Sequence, residues 1–442
     1  MIRPKTRNAR IAEPKTSLNR CIATTVVNGS SLHIEHQCPQ CGAPVTLLET
    51  DRILACPFCR VRLMIQSDQP LSYTLPLPEG AMNGDDLVFA PYWRFKGAVY
   101  ALNEDEVNHR IVDVTTRAAT FEALPFSLGM RPQTLKLRLS IARPPSRSFA
   151  LSMDRSLFLK QVRSDGARQE RSLSDRFVYR AAVGEAVNLL YAPYLLRGDV
   201  LHDPYTSRPL PASVGLEPGP QIVEAEPPNG VRFQPTVCPD CGWDLEGSSD
   251  SHVLFCRSCQ SSWEAVGRGF HRLEPQFIPS CDPVDVWVPF WRIELSTTGL
   301  DLATYEDFVR LTNVPKVIDS SMGSRPFAFW VPAFKIQPRL FLRLSGAFTL
   351  AQPSSEAMPL PEISSLYPCT LPAVAGFQSV PVVLGAIAPA KRDLLPKIKR
   401  GRFAFQGKQL VWAPFQNRGV ECIQSQMEFS IPRDSLRWGR AL

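Results

Sequence analysis

A chain of 442 residues with 44% hydrophobic and 21% charged side chains is too long for a single ordinary core and too apolar for disorder. Forty-one prolines against 25 glycines disfavour long helices, so many short strands between proline-marked turns are expected. The net charge of +7 invites an anionic partner, but its distribution along the chain removes most of that argument.

Residues 1–30 read as a basic, disordered arm. Arg3, Lys5, Arg7, Arg10, Lys15 and Arg20 against Glu13 place +5 of the charge there and leave about +2 for the rest, too little to indicate a broad nucleic-acid surface. No apolar stretch follows these cations, which argues against a secretory signal. Residues 31–66 carry Cys38-Pro-Gln-Cys41 and Cys56-Pro-Phe-Cys59, with a hairpin between them turning at Thr50-Asp51. Residues 67–210 read as a β-rich module. Its strands are Leu87–Phe95 and Leu135–Ile141, and its helices Ser152–Val162 and Phe177–Leu190. Pro91 inside the first of these strands implies an edge position or a bulge, because proline cannot donate to a ladder. Eight prolines between His202 and Pro235 mark a connector, assigned to residues 211–230.

The pattern then starts again. Residues 231–270 hold Cys238-Pro-Asp-Cys241 and Cys256-Arg-Ser-Cys259, with the same 14-residue gap, and residues 271–442 read as a second β-rich module. Val284–Ile293 is a strand interrupted by Pro289. Leu340, Leu342 and Leu344 alternate as a strand would, and Ala390–Arg400 is a short helix. The uncharged stretch Ile363–Ala390 reads as loop plus buried strand, since four prolines prevent a membrane-length apolar run. Outside the cysteines, Ala90-Pro-Tyr-Trp-Arg94 matches Val288-Pro-Phe-Trp-Arg292, and Leu135–Ser140 matches Leu340–Ser345. Leu189–Gly198 matches Leu410–Gly419. Ordered matches of this kind point to an internal duplication, with one copy from about Ser31 to Leu210 and the other from about Val231 onward.

A CxxC turn lets two thiolates hold one ion, and two such turns at this separation bring four sulfurs together. The residue after each pair favours positive φ, which Gly42 and Gly242 supply and Arg60 and Gln260 must adopt with strain. These stretches, about 25 residues at each site, resemble the zinc-ribbon superfamily. The resemblance implies two structural Zn²⁺ ions, on Cys38, Cys41, Cys56 and Cys59 and on Cys238, Cys241, Cys256 and Cys259. Iron is less favoured, because rubredoxin-like chains have a longer gap and glycine after both turns. His33 and His36 are surface histidines when the quartet is complete. Cys21, Cys281, Cys369 and Cys422 read as buried apolar residues or idle thiols. The expected fold is therefore β-rich α+β, in two tandem repeats. Each repeat is a four-cysteine zinc ribbon plus a small β-sandwich or barrel module with one or two helices. Thiolate pairs suit a reducing compartment, so a soluble cytoplasmic protein is expected.

Four sulfurs close a zinc shell and leave no position for substrate, so the metal's expected task is folding. Motifs for nucleotide loops, zinc proteases and serine hydrolases are absent, and no catalytic residue is assigned. The expected function is a noncatalytic zinc-binding adaptor or scaffold for protein–protein assembly. The alternative is nucleic-acid binding through the basic arm, the ribbons and the aromatic–arginine strands, in which Tyr191, Tyr194, Trp412 and Phe415 would stack on bases. A further basic run, Lys391, Arg392, Lys397, Lys399, Arg400 and Arg402, suits solvent or an anion.

Overall fold

The computed structural model describes residues 32–78, 86–140, 147–165, 177–198, 200–210, 222–223, 231–389 and 391–439; the basic arm and most of the connector lie outside them. The first cysteine hairpin pairs β1 (His33–Gln37) with β2 (Pro44–Leu48) and β3 (Ile53–Ala55) with β4 (Arg62–Gln66). After β5 (Ser72–Thr74), the long β6 (Leu87–Asn103) pairs with β7 (Val107–Arg117). There follow α1 (Arg131–Thr134), β8 (Lys136–Leu139), β9 (Ser148–Phe149) and α2 (Arg155–Asp165). β10 (Phe177–Arg197) then runs antiparallel to β6 along its whole length and turns into β11 (Val200–His202). β12 (Ile222–Val223) pairs with β9, whereas β13 (Arg232–Pro235) crosses to β4 of the first hairpin.

The second cysteine sheet holds β14 (Leu245–Glu246), β15 (Val253–Cys256), β16 (Ser262–Val266) and β17 (Gly269–Leu273). Beyond it come β18 (Gln276–Phe277), β19 (Val286–Thr298), α3 (Tyr305–Thr312), β20 (Phe329–Pro332) and α4 (Pro338–Ala351). The chain continues through α5 (Ala373–Ile387), α6 (Leu394–Arg400), β21 (Arg402–Arg418), β22 (Glu421–Gln424), β23 (Phe429–Pro432) and α7 (Arg433–Trp438). The described residues thus form four sheets and seven α-helices, a β-rich arrangement.

β6 is buried on both faces, and its alternation serves two cores. Val88, Ala90 and Tyr92 join the core containing Leu54, Tyr73 and Leu190, while Trp93, Phe95 and Val99 pack with Phe158 and Val162 of α2. At its far end Tyr100 and Leu102 enter the core built mainly by the second half. Pro91 is not on a sheet edge, since β6 lies between β7 and β10. The β7 ladder ends at Tyr92, one residue earlier in space, and the Pro91 carbonyl accepts from Ala118 on that side. Its missing N–H therefore faces a place where pairing has already stopped. Pro289 repeats this, with the β20 ladder ending at Phe290 and Ala333 donating to the Pro289 carbonyl.

Other details of the hairpins coincide. Pro91 lies opposite Tyr191 and Pro289 opposite Trp412. Each long return strand is bulged six residues before that aromatic, between Gly184 and Ala186 in β10 and between Gly407 and Phe405 in β21. Trp93 donates its indole N–H to the Met153 carbonyl just before α2, and Trp291 does so to the Leu371 carbonyl just before α5. Gly198 and Gly419, at φ +59° and +62°, directly follow the return strands β10 and β21.

Four further expectations are corrected. Phe177–Leu190 is not a helix but the first part of β10, because pairing with β6 outweighs its Ala and Glu content. Leu340–Leu344 is not a strand but part of α4: buried Leu340, Phe341, Leu344, Ser345 and Phe348 follow the helical period, which five residues could not distinguish from alternation. The match between Leu135–Ser140 and Leu340–Ser345 therefore joins a strand to a helix. Ile363–Ala390 contains α5, not a buried strand. At 15 residues that helix is too short to span a bilayer, and among the described residues no helix is long and apolar enough to cross a membrane. Finally, the principal strands are long, with 17 residues in β6 and 21 in β10.

Candidate metal centres

The backbone builds four similar knuckles. In each, the first cysteine donates its N–H five residues onward: Cys38 to Ala43, Cys56 to Val61, Cys238 to Trp243 and Cys256 to Ser261, at 2.7–3.0 Å. The residue after each second cysteine is left-handed: Gly42 (+73°), Arg60 (+63°), Gly242 (+75°) and Gln260 (+54°). Arg60 and Gln260 thus adopt a conformation that costs a non-glycine residue about 1–2 kcal/mol, offset by the turn they close.

The eight predicted ligands converge as two quartets, in each of which all four sulfurs lie within 4.8 Å of one another. Cys38 Sγ is 3.7 Å from Cys59 and Cys41 Sγ 3.7 Å from Cys56; the second quartet has 3.6 Å for Cys238–Cys259 and 3.4 Å for Cys241–Cys256. A tetrahedral ion at the usual Zn–S length needs an S···S separation of about 3.7–3.8 Å, so both quartets fit such an ion. Within each, two sulfurs face the core (Cys38, Cys56; Cys238, Cys256) and two face solvent (Cys41, Cys59; Cys241, Cys259). Crowding also splits their acidities. The Cys59 amide pulls the Cys56 thiol down to about 6. The Val61 amide favours a Cys59 thiolate, but desolvation and neighbouring sulfurs push that thiol up to about 12. A central dication would relieve that conflict by holding all four as thiolates.

The histidines stand apart. His33 is exposed on β1, and His36 stacks on Phe233 at 5.1 Å, its pKa lowered by burial. Cys369 and Cys422 are buried, whereas Cys281 is exposed; Cys21 lies outside the described residues. A supporting residue had no clear sequence signal. The Ser261 hydroxyl lies 3.0 Å from Cys259 Sγ and accepts the Trp263 indole N–H at 2.7 Å. Val61 holds that place in the first quartet and brings no hydroxyl.

The two cysteine hairpins meet at one seam. Ile53 and Met64 of the first hairpin share a core with Cys238, Leu245, Leu254, Cys256 and Trp263 of the second. The amides of Arg52 and Ile53 donate to the Ser249 carbonyl at 2.6 and 2.9 Å, and Arg62 donates to the Gly247 carbonyl at 2.7 Å. Each hairpin is also tied to a long hairpin by a buried acid. Glu49 receives Arg94, which also grips Asp113 at 2.7 Å, and Lys408 reaches Glu264 at 2.5–2.6 Å. Against the effect of burial, Glu49 and Asp113 hold the Arg94 pKa above its usual value. Sequence showed Arg94 as part of a motif but could not show its partners.

Most of the aromatic–arginine side chains are core, and Tyr191 is half-buried. Arg94 is 1% exposed, and Tyr92, Tyr194, Trp291, Trp412 and Phe415 are fully buried, so none of these can stack on a base. Arg292 is more accessible and pairs with Glu294. Comparison with models of known families, with curated proteins and with solved structures finds no match for this chain.

Proposed function

We propose that this protein is a noncatalytic, zinc-stabilised scaffold made of two copies of one ancestral module, acting in the cytoplasm in protein–protein assembly. The carrying observation is the pair of four-sulfur quartets on two hairpins that share a core. A complete thiolate shell gives the ion a folding task and no open position for substrate. Zinc is favoured over iron by the short gap between knuckles and by the non-glycine residues after two of them. The duplication is supported by the paired prolines, the bulges six residues before Tyr191 and Trp412, and the matching indole hydrogen bonds. At the knuckles, Phe58 and Trp243 are 65% and 62% exposed, side chains of the kind that anchor protein contacts.

Metal analysis of the purified protein should give two zinc ions per chain and no colour. Red protein containing iron would reject the metal assignment. Affinity purification from the native cell, repeated with Phe58→Ser and Trp243→Ser, tests the scaffold role. Proteins retained by the wild type and lost with either variant support it, and identical recoveries reject the knuckle surface as the contact. Salt-sensitive binding of a single-stranded oligonucleotide by protein lacking residues 1–30 would instead favour the nucleic-acid reading.

A further inference from the structure

A cleft of about 520 Å³ opens between α2 and β10 of the first half and α5, α6 and the start of β21 of the second. Three cations line it, each from a different element: Arg163 of α2, Lys399 of α6 and Arg402 of β21. Among the described residues, its lining includes no carboxylate and no ion pair of these three cations is found. Lys399, in the last turn of α6, is accounted for by the helix dipole, but that does not explain why Arg163 and Arg402 line the same cleft. Arg163 donates its Nε to the Leu159 carbonyl at 3.0 Å, and among the described residues no partner is found for its two terminal nitrogens. Three like charges around one concavity repel each other unless an anion sits between them.

The rest of the wall is aromatic. Tyr179, Phe377 and Phe403 are half-buried around the same space, and Phe377 is braced edge-on by Phe405 at 5.6 Å. The volume lies within the range of small-molecule sites. We propose that this cleft binds a planar organic anion of nucleotide size. Its phosphate or carboxylate end would meet Arg163, Lys399 and Arg402, and its ring the Phe377 and Phe403 side. Such a ligand would bridge the two halves of the chain, so binding would raise the melting temperature of the whole molecule.

Calorimetric titration of the zinc-loaded full-length protein with ATP, adenosine and pyrophosphate tests this. ATP should bind with a Kd below about 1 mM, and the ring alone and the phosphates alone each at least about tenfold more weakly. Lys399→Glu combined with Arg402→Glu alters two exposed side chains and should weaken ATP at least about tenfold while leaving the ligand-free melting temperature within about 2 °C. Arg392→Glu, a charge change outside the cleft, should leave ATP affinity unchanged. Absence of ATP binding, or equal affinity in the double variant, overturns the proposal. Tighter binding of a ten-nucleotide single strand than of ATP, lost in the same double variant, also overturns it and assigns the groove to a polymer.

Discussion

Glu49 has no exposed side-chain surface, yet it faces Arg94 and lies 3.5 Å from Lys96. Removing its charge would take one partner from buried Arg94, which keeps Asp113, and a neighbouring acid from buried Lys96. Glu49→Gln should therefore destabilise by about 3–5 kcal/mol, whereas Arg292→Ala, at a more exposed pair, should change stability by no more than about 1 kcal/mol. Denaturant midpoints of the two variants measure the contrast; equal effects would mean that the buried cluster is not a structural tie. His252 gives a pH prediction. Desolvation, then the charges of Arg52, Lys335 and Lys408, hold its pKa well below the ordinary value, so it folds neutral. Above pH 6.5 it is neutral in both states and contributes nothing to the pH dependence. Below 6.5 the unfolded chain takes up a proton that the folded chain refuses, and stability falls. His252→Gln should flatten the loss of stability between pH 6.5 and 5.5; parallel curves for variant and wild type would refute the assignment. At the metal centre, a 25-residue hairpin that depends on its ion for folding would, taken alone, unfold on Cys56→Ser and spare the β body. The structure places Cys56 in a core with Tyr73, Tyr92 and Leu190, and sets its hairpin against the second one. The revised expectation is loss of one metal with increased amide exchange in both ribbons and in β6. Exchange confined to residues 32–66 would restore the original expectation.

At the level of elements, α5 approaches β6 at a glycine. A Cβ at Gly385 would come within 2.3 Å of a Leu102 methyl, and Leu102 is fully buried. Gly385→Ala gains helix propensity of about 1 kcal/mol but overpacks a shared core at about 1–3 kcal/mol. A net loss of melting temperature is expected, and a gain would show that Leu102 can yield. α3 shows how much a local signal can carry when it is read. Thr304 and Asp307 form a capping box and Asn313 closes the helix in the left-handed region, all visible as residue types in the chain. α4 and β10 show the opposite case. Leu340–Leu344 alternates and Phe177–Leu190 contains helix formers, yet each adopts the other structure because long-range packing supplies more free energy than five to fourteen residues of local preference.

For the molecule as a whole, the boundary drawn between the halves is crossed repeatedly. β13 joins the sheet of the first hairpin, and Tyr100, Leu102, Ala181 and Val183 sit in the core of the second half. Fragments 32–223 and 231–442 should therefore be poorly soluble alone and co-purify in equal amounts when made together. A sharp, independent melt of the second fragment would show that the halves fold separately.

The eight cysteines, their grouping into two quartets that could hold metal ions, and the similar segments around Pro91 and Pro289 were legible from the chain itself, because knuckle spacing and proline geometry depend on residue type and near-neighbour spacing. That the two ribbons share a core, that Arg94 meets Glu49 and Asp113, and that three cations from α2, α6 and β21 face one cleft came only with the tertiary structure. Those contacts join residues from 19 to more than 200 positions apart, and no local pattern records which of many possible partners a buried charge or an apolar face will find.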